Sequence, residues 1–166
     1  MPQRLAPIIG IVIAFALAGC SPREVADLGH KMERWPGQRL GGTEQPVPAN
    51  FDEVGLHDLV QLKVSGGLLP HVVNIWAVHM DDAIYVWTIP GTSWSQKVVE
   101  DPDVWVRVGD NVYPLTATKV SDDGERQQVF DVFMGKYGQE ITRRLFKGTT
   151  PTVEMFELFY RLTARS

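Results

Sequence analysis

Two runs of alternating β-branched and aromatic residues, Val72 to His79 and Ala83 to Ile89, meet across Met80-Asp81-Asp82. Period-two alternation marks a strand with two different faces, and an Asp-rich triplet is turn chemistry, so the pair predicts an antiparallel hairpin. In the second run Ile84, Val86 and Thr88 share one face, and Tyr85, Trp87 and Ile89 share the other. A second hairpin follows. Val104, Val106 and Val108 alternate with Trp105 and Arg107, and Gly109-Asp110-Asn111 turns the chain into Val112 to Val120. Pro114 has no N–H for a ladder and is expected at an edge or a barrel bulge. Leu59 to Val64 makes a further short strand.

Helical signals separate the strands. Ser93 to Glu100 predicts a short helix, ended by Pro102. Asp122 or Asp123 caps a stronger one, with Val129, Phe130, Phe133 and Tyr137 on its inner face and Gly138 as its stop. Ile141 and Leu145 predict a further turn or two. The segment Glu154 to Ala164 fits two patterns: Phe156, Leu158, Tyr160 and Leu162 suit a strand, whereas Met155, Phe159 and Leu162 suit a helix. The sum is an α+β chain, a small antiparallel barrel or roll with helices set aside from the sheet. A length of 166 residues suffices for one such core. With 44% hydrophobic and 22% charged residues, the chain is neither largely disordered nor a coiled coil. A net charge of -4 without any run of Lys or Arg argues against nucleic acid and against anionic headgroups as main partners.

The first twenty residues read as an address. Arg4 precedes an uncharged apolar run, Leu5 to Gly19. As a helix this run spans roughly 22 Å, short of the ~30 Å hydrocarbon core, so it predicts a signal peptide over residues 1–19 and not a permanent span. Leu17-Ala18-Gly19-Cys20 matches the bacterial lipoprotein box, and Cys20 is the only cysteine of the chain. Its thiolate would accept a diacylglycerol, and two or three acyl chains such as palmitate hold a protein stably on a membrane. A lone Cys also excludes internal disulfides and Cys-based zinc sites. Ser21 in place of Asp matches the outer-membrane default, facing the periplasm, if the host has two membranes. Residues 20–50 then form a Pro-rich tether. Within it Val25, Leu28, Met32 and Trp35 line one helical face that could lie in the membrane interface or dock on the domain, docking being the favoured reading. Gly41 to Asn50 is expected as polar linker, and 51–166 as the folded domain.

Signatures of catalysis are mostly absent: there is no His-Glu-x-x-His, no Walker loop, no Gly-x-Gly-x-x-Gly and no cysteine nucleophile beyond the lipid site. The histidines at 30, 57, 71 and 79 are scattered and are read as rim or satisfied polar residues, with no metal expected. Asp81-Asp82, Asp101/Asp103 and Asp122-Asp123 fall at turns and caps. Trp76, Trp87 and Trp105 lie on strands, where packing is the default. Trp94 differs, because it sits beside Thr92, Ser93, Ser95 and Lys97. Hydroxyls, a cation, a flat ring and a helix start are what a phosphate-bearing aromatic ligand needs, although a polar capped loop explains the same residues.

The order of segments resembles a known superfamily. Pro70-His71-Val72-Val73, then Asp81 through Thr88, then Ser95-Gln96-Lys97, then Asp101-Pro102-Asp103-Val104-Trp105-Val106 are similar to the flavin-binding split-barrel proteins. That group includes pyridoxamine-phosphate-oxidase-like proteins and deazaflavin-dependent nitroreductases. The match continues through Gly109, Tyr113 and Lys136-Tyr137 to Tyr160-Arg161-Leu162-Thr163, covering about residues 57–165, and it settles the ambiguous tail as a closing strand. The resemblance implies a split β-barrel of about six strands with flanking helices, commonly a homodimer with flavin in an interface groove. It implies FMN, or less favourably a deazaflavin, with Thr88, Ser95 and Lys97 on the phosphate and Trp94 as a ring contact. The early-strand Arg of such FMN proteins is missing, with Lys63 as a substitute. The sequence lacks the twin-Arg pair for folded export, so a non-covalent flavin would have to be acquired outside the cytoplasm. A cofactor-free binding or structural module of the envelope is the alternative.

Overall fold

Leu62, Val64, Ile84, Val86, Val104, Val106, Val108, Leu115 and Leu162 come from five strands, and all nine are fully buried in one shared core. The strands are β2 (Val60–Val64), β5 (Ala83–Thr88), β6 (Asp103–Val108), β7 (Asn111–Lys119) and β8 (Leu158–Ala164). Each sends every second residue inward, the geometry of a sheet wrapped around its own interior. The computed structural model describes residues 40–65 and 71–165; the signal peptide, Cys20 and the amphipathic stretch 25–35 lie outside them.

The run 71–80 shows how the sheet closes. It forms β3 (His71–Ile75) and β4 (Ala77–Met80), separated at Trp76. Strand order is β3-β2-β6-β7-β8-β5-β4, so the two ends of the sheet are the two halves of one bent strand. β3 pairs with β2 from His71↔Val64 to Ile75↔Val60, and β4 pairs with β5 from Ala77↔Val86 to Met80↔Ala83. The alternation read from the sequence persists across the bend: Val73, Ile75 and Ala77 face the barrel core, while Trp76 and Val78 face outward. Only the pairing partner changes. With the two-residue β1 (Thr43–Glu44), this split brings the expected six strands to eight among the described residues.

β1 corrects the reading of 41–50 as free linker. Thr43 N–H donates to Asp110 O (2.8 Å), and Gln45 N–H donates to Val112 O (2.9 Å), so the segment runs parallel to the start of β7. Leu40 is buried with Val72 and Val112, and Val47 packs on the barrel core. Polar composition concealed this because backbone groups make the attachment. Gly42, at φ +77°, allows the approach: a Cβ there would stand 2.8 Å from Asp110 O. Pro114 sits where the outer edge of β7 passes from β1, which ends opposite Val112, to β8, which begins opposite Leu115. No ladder bond is lost there.

Two helices complete the fold. α1 (Ser93–Glu100) inserts Trp94 and Val98, spaced i,i+4, into the barrel core. α2 (Asp123–Arg144) starts where expected, with Asp122 Oδ1 accepting from Glu125 N–H at 2.8 Å. It does not stop at Gly138. Ile141 is fully buried one turn beyond, and its burial of about 1.5–3 kcal/mol exceeds the ~1 kcal/mol cost of a helical glycine. Val129, Phe130, Phe133, Tyr137 and Ile141 cover Val78, Tyr85, Phe156 and Phe159 on the outside of the barrel, forming a second core.

The chain therefore has two hydrophobic layers sharing one sheet. Leu162→Ala, at the centre of the barrel layer, should lower unfolding free energy by about 2–5 kcal/mol in urea titration. Leu56→Ala, 84% exposed, should stay within about 0.5 kcal/mol of the parent.

Candidate functional site: the split of the barrel

β4 follows β5 only as far as Val86, so Trp87, Thr88 and Ile89 lose their neighbour where β3 swings away toward β2. Between the diverging strands lies a cleft of about 520 Å³. That volume is within the range of about 300–1,000 Å³ typical of small-molecule sites. One wall is β3 (His71, Val73, Asn74, Ile75); the opposite wall is the end of β5 with Leu145. Thr92, Ser93 and Trp94, at the beginning of α1, close one end. The cleft is thus mostly apolar along its walls and polar at the helix end.

Hydroxyl groups order that polar end. Thr92 Oγ1 donates to Ser95 Oγ (2.9 Å), Ser95 Oγ donates to Thr92 O (2.9 Å), and Thr88 Oγ1 lies 2.9 Å from Thr92 Oγ1. With Thr92 as donor to Ser95, the Thr88 proton is left for Thr92 Oγ1 or for Ile89 O at 3.2 Å. Thr88 and Ser95 are both buried, and their protons are engaged inside this chain of hydroxyls. Thr92 occupies the N-cap of α1 without a side-chain capping bond, leaving the first-turn amides without a capping side chain. Ser93 Oγ stands 3.3 Å from His71 Nε2. Burial, and then the charge of Lys97, hold the His71 imidazole below its ordinary pKa, so it is neutral at pH 7.

The four cofactor residues expected from sequence are brought near one another, in different roles. Thr88 and Trp94 line the cleft. Trp94 is largely core: 7% exposed, its ring packs on Tyr160 at 5.8 Å. The i,i+4 pairing of Trp94 with Val98 was the available sign of that burial. Ser95 stands behind Thr92 as part of its support. Lys97, one turn along α1, is close enough to act on His71. Lys63 does not replace the missing Arg in the cleft; its Nζ lies 4.2 Å from the Trp105 ring, on the outer face of the sheet. The residue at that edge is His71, a rim group whose Nε2 is partnered by Ser93, in line with the reading of the histidines as rim or satisfied residues. Trp87, also in the wall, carries a buried indole N–H with no hydrogen-bond partner.

Two larger hollows lie along α2, of about 870 and 720 Å³. The first is an open surface along Met134, Gly138, Thr142 and Lys147. The second adjoins Trp76 stacked on Tyr137, and its most buried polar groups are already paired to backbone carbonyls. Of the three, the smaller cleft is the one whose wall holds a buried polar atom without a partner among the described residues, the Trp87 indole nitrogen.

No protein-family model matches the chain, and no curated protein matches it. Solved structures do. A Listeria innocua protein assigned as a pyridoxamine 5′-phosphate oxidase superposes with a TM-score of 0.52 at 14% identity, over 69% of this chain and 90% of that one. A FAD-binding protein from Mesorhizobium loti gives 0.53 at 14%, over 69% and 86%. A structure described as an F420-H2-dependent reductase gives 0.50 at 18%, over 64% and 94%. At these identities the likeness establishes the fold, an α+β split barrel with flanking helices.

If Thr92 is the hub of the polar end, Thr92→Val should remove two side-chain hydrogen bonds and lower stability by about 1–3 kcal/mol. Thermal and urea unfolding of the variant would measure the loss.

Proposed function

We propose that this protein is a lipid-anchored envelope protein whose split barrel binds a phosphorylated flavin, FMN in particular, for redox chemistry. The observation that carries the reading is the cleft: about 520 Å³ of mostly apolar-walled space ends at a helix start without a capping side chain, with hydroxyls there and Lys97 one turn along the helix. The residues fit the group at both ends. First-turn amides of α1 and Ser93 Oγ are donors suited to phosphate, and Lys97 supplies charge. Val73, Ile75 and Ile89 offer apolar surface to a ring, while the unpaired Trp87 indole N–H is a donor in want of an acceptor. Bound flavin would supply the electron transfer; the chain's own groups bind it, orient it and keep water from one side. Thr88 and Ser95 act on the ligand by fixing Thr92 and the first turn of α1. The likeness to a FAD-binding protein from Mesorhizobium loti and to an F420-H2-dependent reductase supports a flavin-type ligand in general.

In the same proposal the working form is a homodimer. Ile89 and Leu145 are 62% and 47% exposed on the cleft rim, and a second copy would cover them and complete the ring site. Cys20 carries the lipid, and in a host with two membranes the domain faces the periplasm from the outer membrane. No described helix is long and apolar enough to cross a membrane.

Titration of the full chain in detergent with FMN, followed by quenching of flavin fluorescence, should saturate at one FMN per chain. Lys97→Ala should weaken FMN about tenfold with little change in stability. An unchanged affinity would remove Lys97 from the site. Separately, cells expressing the chain should incorporate labelled palmitate into it, and Cys20→Ser should abolish incorporation; label retained in that variant would overturn the anchor.

A further inference from the structure

We infer that the amphipathic stretch 25–35 of this chain, which lies outside the described residues, docks on the outer face of the β3-β2-β6-β7 half of the sheet. The inference does not depend on the flavin reading. α2 covers the outside of the other half, where Val78, Tyr85, Phe156 and Phe159 lie. On the β3-β2-β6-β7 half, the pairing registers align Val72, Lys63, Trp105 and Pro114 in one row across four strands. The next row is Asn74, Gln61, Arg107 and Val112. Val72, Val112 and Trp105 form a small apolar cluster on these rows, and the residue that joins them is Leu40. Neither α1, which fills the barrel, nor α2 takes part in that cluster.

Leu40 decides which part of the chain reaches this face. Arg107 Nη1 donates to Leu40 O at 3.2 Å, and Gly41 and Gly42, at φ +63° and +77°, turn the chain from there into β1. The residues before Leu40 therefore enter from the outer side of the sheet. Trp35 is five residues upstream, at most roughly 18 Å away. Val25, Leu28, Met32 and Trp35 make a stripe along about 15 Å of helix, close to the ~14 Å breadth of four paired strands. So short a connection gives the stripe an effective concentration on the order of millimolar at this face, an advantage over a second copy or a free partner. Charge agrees. Lys63 Nζ lies 4.2 Å from the Trp105 ring and has no carboxylate partner among the described residues. Glu24, four residues before Leu28, stands at the margin of the stripe in helical spacing. Docking here also braces the cleft, because Val72 belongs to β3, the strand whose residues form one cleft wall.

The experiment uses the full lipidated chain, in detergent and in vesicles of phosphatidylethanolamine and phosphatidylglycerol, with photoreactive benzoylphenylalanine in place of Met32. Mass spectrometry should find cross-links within one chain, to residues 60–64 or 103–116, at a yield independent of protein concentration. Cross-links to lipid, or between chains at a yield that grows with concentration, would overturn the docking. So would intrachain cross-links confined to α2. A thiol placed on the face gives a second readout that needs no register. Lys63→Cys in the full chain should react with a maleimide about tenfold faster once Leu28→Asp and Met32→Asp are added, because the charged stripe no longer covers it. Equal rates in the two chains would contradict the assignment, whatever the chain binds in its cleft.

Discussion

The barrel depends on one ammonium and one phenol. Lys136 Nζ donates to the carbonyls of Val54 (2.7 Å), His57 (2.7 Å) and Ala77 (3.2 Å). Tyr137 hydroxyl lies 2.9 Å from Ala77 O and 3.0 Å from Asp58 O, and Ala77 N–H points to it at 3.4 Å. Adjacent residues of α2 thus bind the strand just beyond its bend and the segment leading into β2. Burial pushes the Lys136 ammonium below its ordinary pKa and the Tyr137 phenol up to about 12. Such groups are costly in a low-dielectric setting unless their hydrogen bonds are made, and here every donor of Lys136 has a carbonyl. The Trp76 ring stacks on Tyr137 at 5.4 Å, so the residue at the bend is held by the same side chain that satisfies its neighbour.

This pin explains why the barrel is split. A strand that remained straight would accompany β5 along its whole length and close the wall. Fixed at Ala77, the chain leaves β5 at Val86 and pairs with β2 instead, and the gap it leaves is the cleft. α1 then fills the barrel with Trp94 and Val98 and presents its first turn to the gap. The polar end of the cleft is therefore a consequence of core packing. Thr92, locked between Thr88 and Ser95, sets where the helix starts, and Lys97 supplies the charge that acts on the neutral His71 beside it.

Much of this was legible in the sequence for a physical reason. Residues 84–88, 104–108 and 112–119 alternate because one face of each strand is barrel core, and Asp122 begins α2 because its carboxylate satisfies a free amide. Other features carried no local signal. Alternation fixes which face points inward but not which strand pairs with which, so the change of partner at Trp76 was hidden inside one regular run. Gly138 reads as a helix stop in isolation, and only the pocket that receives Ile141 overrides it. Trp94 reads as a ligand contact because its neighbours are polar; its i,i+4 relation to Val98 points inward. For the site, Thr92, Ser93, Trp94, Ser95 and Lys97 are neighbours along the chain and so stand out in the sequence, whereas His71, twenty-two residues from Ser93, becomes their neighbour only once the barrel closes.

The central claim is that the divergence of β3 from β5 is a ligand site built at the start of α1. The most direct measurement is a crystal structure of the protein grown with FMN. The account predicts the phosphate at the first-turn amides of α1 beside Ser93, with the ring along Val73, Ile75 and Trp87. Flavin seated elsewhere, such as the groove beside Trp76 on α2, would contradict it, as would crystals that exclude FMN at saturating concentration.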